Sequence, residues 1–281
     1  MDQVMTTARP ARYAYLRHSA AVRVMHWINV VALTILLMSG LQIFNAHPAL
    51  YWGKSSYTGR PPLLEMIAMQ SPQGQVFGVT RVAGRAFDTT GVLGASRGPE
   101  GDWMARGFPT WLTIPGFKSL AVGRAWHFFF AWVFVLNGLA YLVYSIASRH
   151  LKRDLWPTRD DVRGIGRSII EHVRFKHPTG EAAKRYNVLQ KLAYLAVIFV
   201  LLPGIVLMGL GMSPWFDGVW PGWVDLVGGR QSARTIHFII AWLLVAFVAI
   251  HVFEVLISGA WNHLRSMITG RYVVKTEDPH A

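Results

Sequence analysis

The chain has 281 residues, 52% hydrophobic and 15% charged, with a formal net charge of +13. That balance belongs to a membrane protein rather than an average soluble domain. Because the Lys and Arg flank apolar runs, the positive charge reads as orientation in a bilayer and not as nucleic-acid binding. The absence of cysteine excludes iron–sulfur clusters, covalently attached haem, thiolate zinc and disulfides, so any metal must be held by His, Met or carboxylate.

Residues 1–23 are polar and basic, with Arg9, Arg12, Arg17 and Arg23, and lead into an apolar run at 24–44. That run is long enough to cross a hydrocarbon core of about 30 Å, so it reads as a retained first span and not as a cleaved leader. His26 and Trp27 stand at its entrance. Residues 45–120 hold no spanning run, but they contain Gly and Pro punctuation and Trp52, Trp103 and Trp111. A connection this long is expected to be functional, and its tryptophans argue for an ordered cap or docking surface.

A second span is predicted at 121–147, with His127 near its start. The segment 148–188 carries ten Lys or Arg between Arg149 and Arg185, which the positive-inside rule places in the cytoplasm. The third span, 189–212, has no histidine, and Pro203-Gly204 is expected to kink it. A turn rich in Trp (213–234, with Trp215, Trp220 and Trp223) leads to the fourth span, 235–259, and a polar cytoplasmic tail, 260–281. The expected fold is an all-α integral membrane protein: a four-transmembrane-helix bundle with a long extracytoplasmic loop between helices 1 and 2 and both termini cytoplasmic.

The fourth span holds two histidines, His237 and His251, fourteen residues apart. On an α-helix this is about 21 Å of rise and a return to within about 40° of the same face. Ionisable side chains inside a span face the bundle interior or a cavity. With four spans, His26 and His251 fall at one depth, towards the cytoplasm, and His127 and His237 at the other. Two bis-imidazole sites without thiolate or an acidic cage suit two haem b groups, because zinc needs further ligands whereas haem iron needs two axial imidazoles.

Arg23, Arg124 and Arg234 each precede a candidate ligand by three residues, one turn nearer the water, where a guanidinium can bind a haem propionate. The competing reading is that arginine marks helix ends, and Arg174 and His177 show the same spacing in the basic loop. Met25, Met38, Met208 and Met212 read as packing residues. His18, His47, His150, His172, His177, His263 and His280 are assigned no role. Glu254, one turn past His251, is read equally as a snorkelling or capping residue and as a proton acceptor beside a quinone.

These motifs resemble the di-haem cytochrome b subunits of Ni/Fe hydrogenases, formate dehydrogenases and thiosulfate reductases, and most closely the thiosulfate reductase group. The resemblance rests on Arg23-Val-Met-His26-Trp27, His127, Tyr186-Asn187-Val-Leu-Gln190-Lys191, Arg234-Thr-Ile-His237, His251 and Arg265-Ser-Met-Ile-Thr-Gly270-Arg271. It covers about two thirds of the chain, the spans and their inner flanks.

The resemblance implies a bacterial inner-membrane electron carrier of the respiratory chain. Two b haems would pass electrons between the quinone pool and an extracytoplasmic redox partner, of the molybdopterin oxidoreductase class in the thiosulfate reductase group. It further implies a quinone near His251 and Asn187, with Gln190 beside them, although Asn187 also suits an N-cap of the third span. The connection 45–120, longer than in the hydrogenase subunits, would be the partner's landing surface. Alternatives are a stand-alone haem reductase of a small acceptor and a non-redox anchor of a larger complex. A transporter is disfavoured because the sequence shows neither an internal repeat nor paired broken helices.

Overall fold

The computed structural model describes residues 12–174 and 186–275. Arg9, Lys176, His177, Lys184, Arg185 and His280 lie outside the described residues, and so does the side chain of His172. Four helical stretches are long and apolar enough to cross a membrane: α1 (Ala20–Phe44), α2 (Leu120–Ala147), the stretch Val188–Gly211 and α8 (Arg230–Ile257), of 25, 28, 24 and 28 residues. About 20 residues suffice to span a hydrocarbon core. Large apolar side chains point outward along them, among them Trp132 and Val143 of α2, each 68% exposed. Water would penalise that surface at about 25 cal/mol per Å², and lipid removes the penalty.

The chain divides into two compact units. One comprises Met1–Trp27, Leu139–Val200 and Ala246–Ala281. Here the two terminal segments are ordered against each other: β1 (Arg12–Leu16) pairs antiparallel with β8 (Arg271–Lys275). Between α8 and β8 runs α9 (Ala260–Thr269), whose Met267 carbonyl accepts a hydrogen bond from Trp27 Nε1 at 3.1 Å. As far as residue 275 the expected polar tail is a helix and a strand, the strand paired with backbone and the helix with side chains of the chain's other end.

The basic segment of the same unit forms α3 (Arg159–Arg163) and α4 (Ile165–Val173). Asp161 of α3 accepts from Lys191, which is only 8% exposed, at 2.7 Å. The third span begins as α5 (Val188–Ala196), widens to a π-helical turn at Val197–Leu201 and resumes as α6 (Leu202–Gly211). Pro203 has no N–H to give to the turn before it, and its ring crowds that turn. The expected distortion thus sits just N-terminal to Pro203, as a widened turn.

The second unit comprises Ile28–Gly138 and Leu201–Val245. Its insert between α1 and α2 holds a four-stranded antiparallel sheet in the order β2 (Ala49–Leu50), β3 (Leu64–Gln70), β4 (Val76–Val82) and β5 (Arg85–Asp88). A ribbon of β6 (Gly94–Arg97) and β7 (Trp103–Arg106) follows. Ala83 and Gly84, with φ of 48° and 82°, form the two-residue turn that matches the twist of a β-hairpin. A Cβ at Gly78 would collide with the Leu93 carbonyl, so glycine is what lets β4 meet the stretch before β6. Leu41, Phe44, Leu50, Met66 and Phe108 form the core beneath the sheet.

Polar bolts hold the insert to the helix ends. Asn45 donates to the Phe108 carbonyl at 3.1 Å and accepts from the Phe108 N–H at 2.7 Å. Arg234 donates to the carbonyls of His47 and Ala49, and Thr235 to that of Tyr51 at 2.7 Å. A short helix, α7 (Pro214–Val219), and a 3₁₀ turn at Trp223–Val227 fill the connection to α8, where Lys54 pairs with Asp225 at 2.8 Å.

Asn45→Ala leaves two buried backbone groups unpaired, each worth about 1–3 kcal/mol, so a loss of about 2–6 kcal/mol is expected, read from thermal unfolding in detergent. Burial, assisted by the nearby Arg17 and by His150, His26 and His263, lowers the pKa of His18 from 6.5 to about 4. The unfolded chain binds the extra proton between those values, so this contribution to stability is whole above pH 6.5 and is lost as pH falls towards 4. His18→Gln should flatten the pH dependence of the unfolding midpoint across that window.

Candidate functional site

The four intramembrane histidines form two pairs. In the first unit the rings of His26 (α1) and His251 (α8) have centroids 6.5 Å apart with 66° between their planes. In the second, His127 (α2) and His237 (α8) lie 6.3 Å apart at 60°. With a metal–imidazole bond of about 2 Å and a ring nitrogen about 1 Å from its ring centre, two imidazoles on opposite sides of one metal stand about 6 Å apart, centre to centre. Both pairs fit that spacing.

Hydrogen bonds orient one pair. The carbonyl of Ile205 can only accept, so the 2.9 Å contact with His237 Nδ1 puts the proton on that nitrogen. Ser39 donates its own hydroxyl proton to the Ile35 carbonyl at 2.6 Å, which leaves its oxygen to accept from His127 Nδ1 at 3.1 Å. In each ring Nε2 keeps its lone pair, the state a metal ligand needs. Gly40 gives one ring its room, since a Cβ there would lie 3.3 Å from His127 Cε1, whereas one at Gly209 would make ordinary contact, 3.5 Å from His237 Cε1.

Aromatic packing supports the other pair. Phe247 stacks on His251, with centroids 6.1 Å apart and planes 15° apart, and Tyr194 packs edge-on against Phe247. Tyr186 packs on Tyr194 and lies under the Arg17 guanidinium. Burial raises the Tyr186 hydroxyl pKa above its ordinary value, so it stays protonated. Glu254 is half-buried.

Asn187 and Gln190 form a reciprocal capping box: Asn187 Oδ1 accepts from Gln190 N at 2.8 Å, and Gln190 Oε1 from Asn187 N at 3.2 Å. The capping reading of Asn187 therefore describes its contacts here. The arginines differ among themselves. Arg23 Nη1 donates to the Ile268 carbonyl, and Arg234 spends two nitrogens on carbonyls of the insert. Arg124 is exposed, over the Phe128 ring.

Sequence reading missed Ser39, Gly40, Gly209 and the Ile205 carbonyl. Ser39 and its glycine neighbour are small residues in an apolar run, a recognisable mark of close helix contact in membranes. It also passed over Asn137, whose amide donates to Asn29 at 2.8 Å. Among the described residues no group of three or more His, Asp or Glu could hold a metal ion. The donor set consists of isolated imidazole pairs inside apolar helices, which suits a porphyrin-bound iron better than zinc, which needs further ligands.

Fold and donor set together define a membrane cytochrome of the b type. The chain matches the prokaryotic cytochrome b561 family over residues 17–270 and belongs to it. Haem b is the cofactor that this family implies.

Among relatives, the chain is 28% identical over 238 residues to a protein of Azospira oryzae named as a protein-methionine-sulfoxide reductase subunit, YedZ1, covering 85% of this chain and 89% of that one. It is 27% identical over 158 residues to a protein of Cupriavidus necator named as a Ni/Fe-hydrogenase B-type cytochrome subunit, covering 51% and 64%. A protein of Azotobacter vinelandii with the same name is 25% identical over 167 residues, covering 54% and 69%. The family match does not single out the thiosulfate reductase group. No solved structure matches.

Gly40→Val should push the His127 ring off Ser39 and lower the haem content per chain in a pyridine haemochrome assay. Gly40→Ala should lower it less.

Proposed function

We propose that the chain carries two b haems, held by His26 with His251 and by His127 with His237, and passes electrons between quinone and an extracytoplasmic redox protein. The observation that supports this most directly is the pair of imidazole–imidazole spacings, 6.5 and 6.3 Å, on helices built for a bilayer. Haem supplies a one-electron couple. The protein's own residues do the rest. Four imidazoles ligate, Ser39 and the Ile205 carbonyl fix the ring tautomers of one pair, and the apolar helices exclude water. Arg23, Arg124 and Arg234 stand one turn from a ligand, and their guanidiniums are the propionate partners in this reading.

By the positive-inside rule the basic segment 148–188 and both termini are cytoplasmic, in a bacterial inner membrane, which puts the His26–His251 pair on the cytoplasmic side and the insert 45–120 on the other. The quinone binds near His251, bordered by Asn187, Gln190 and Glu254, with Glu254 as proton acceptor. The redox partner docks on the insert. The relatives' names point to a hydrogenase or a reductase in that role, and the motif resemblance favours a molybdopterin oxidoreductase. The stand-alone reductase of a small acceptor shares every feature except the docked protein.

Two haems per chain are expected by pyridine haemochrome, with a b-type α band in the reduced-minus-oxidised spectrum. His251→Ala should remove one haem and spare the other; loss of neither would break the pairing. Asn187→Ser retains an N-cap, since serine caps helices well, but removes the amide. A rise in KM for quinol with unchanged thermal stability would mark Asn187 as a quinone contact, and unchanged kinetics would leave it a cap alone.

A further inference from the structure

Arg106, in the insert, is 2% exposed, a depth at which arginine is rarely found unless paired with a carboxylate. All its acceptors are neutral: Nη1 donates to the Gly116 carbonyl at 2.6 Å, and Nη2 to Gln42 Oε1 at 2.8 Å and Thr113 Oγ1 at 3.0 Å. Its Nε is buried with no acceptor. Among the described residues no carboxylate lies within ion-pair reach of it. Burial lowers its pKa, yet a guanidinium remains charged in proteins.

The position of this charge is fixed through Gln42. On α1, Gln42 stands three residues beyond Ser39, the residue that holds His127 Nδ1. On α2, the Gln42 Cγ would lie 3.0 Å from a Cβ at Gly123, four residues before His127. Gln42 and Gly123 thus stand about one turn, 5.4 Å of rise, beyond the level of Ser39 and His127, and the Arg106 guanidinium lies one hydrogen bond past the Gln42 side chain. A clamp for the chain around Thr113 and Gly116 would need only donors, which a neutral amide supplies. A full positive charge with no counter-charge does something a clamp does not.

We propose that Arg106 is a fixed cation, beside those at the propionates, that raises the reduction potential of the haem held by His127 and His237. The inference rests on the reading of that pair as haem ligands. One electron entering the centre lowers its charge by one unit, with no bond made or broken. A neighbouring cation in a low-dielectric setting favours that reduced state. Arg106 touches neither iron nor ligand in this account; it acts through the field.

The test is a redox titration of the full chain in detergent or nanodiscs, read at the α band, with the second centre assigned in a His251→Ala background. Arg106→Gln is expected to shift the reduced-to-oxidised ratio of the His127–His237 centre about tenfold towards oxidised at fixed ambient potential, or about 59 mV for one electron, and to leave the other centre within about twofold. Arg106→Lys should show little of this shift, because it keeps the charge with fewer hydrogen bonds. Should Arg106→Gln fail to fold, Gln42→Glu places a carboxylate on the same guanidinium within nearly the same volume, and it should shift the same centre in the same direction. Two bound haems with unmoved potentials in Arg106→Gln or Gln42→Glu would overturn this proposal and leave the proposed function standing. Absence of haem from the His127–His237 pair in the unsubstituted chain would overturn both.

Discussion

Everything in this protein follows from the difficulty of keeping imidazole rings in a hydrocarbon layer. A ring nitrogen without a partner is costly there, and the chain answers by giving His127 a serine oxygen, His237 a backbone carbonyl, and each of the four rings a facing imidazole. Once one nitrogen is bound to the scaffold, the other is committed to face its partner ring. The spacing of about 6 Å is then the separation that two metal bonds require. Gly40 is part of the same solution, because a Cβ there would press on the His127 ring at 3.3 Å.

The helices are conventional for a bilayer, and the insert is not. It is a small β-structure fixed to the ends of α1 and α8 by Asn45, Arg234 and Thr235, each using side-chain atoms on backbone groups of the insert. Such bonds are short-range and directional, so they hold an irregular chain in one orientation. Arg106 joins this set geometrically, but its acceptors include the side chains of Gln42 and Thr113 as well as a backbone carbonyl. Its burial among neutral oxygens links the insert electrostatically to the nearby histidine pair.

Different parts of the architecture were legible in the sequence to different degrees. The spans could be read because lipid imposes a length and an unbroken apolar composition on each, which is local information. The pairing of His26 with His251 and of His127 with His237 could be inferred from depth alone. The strands of the insert could not. Stretches such as Leu64–Gln70 and Val76–Val82 are short, and their alternation is masked by partial burial; strand pairing becomes visible only when the partner is known. The terminal ribbon is harder still, since Leu16 and Arg271 pair across almost the whole chain.

The amino-acid sequence by itself determined that four helices are long and apolar enough to cross a membrane, that thiolate is absent from the possible metal donors, and which histidines could face each other. Those properties depend on composition and on the rise of a helix, and both are set residue by residue. Only the tertiary structure decided which nitrogen of His127 and His237 carries the proton, that Gly40 makes room, that Asn187 and Gln190 cap each other, and that an arginine from the insert bonds Gln42, about a turn along α1 from Ser39. Those depend on how helices rotate against one another and on where a long insert folds back. No local periodicity encodes either.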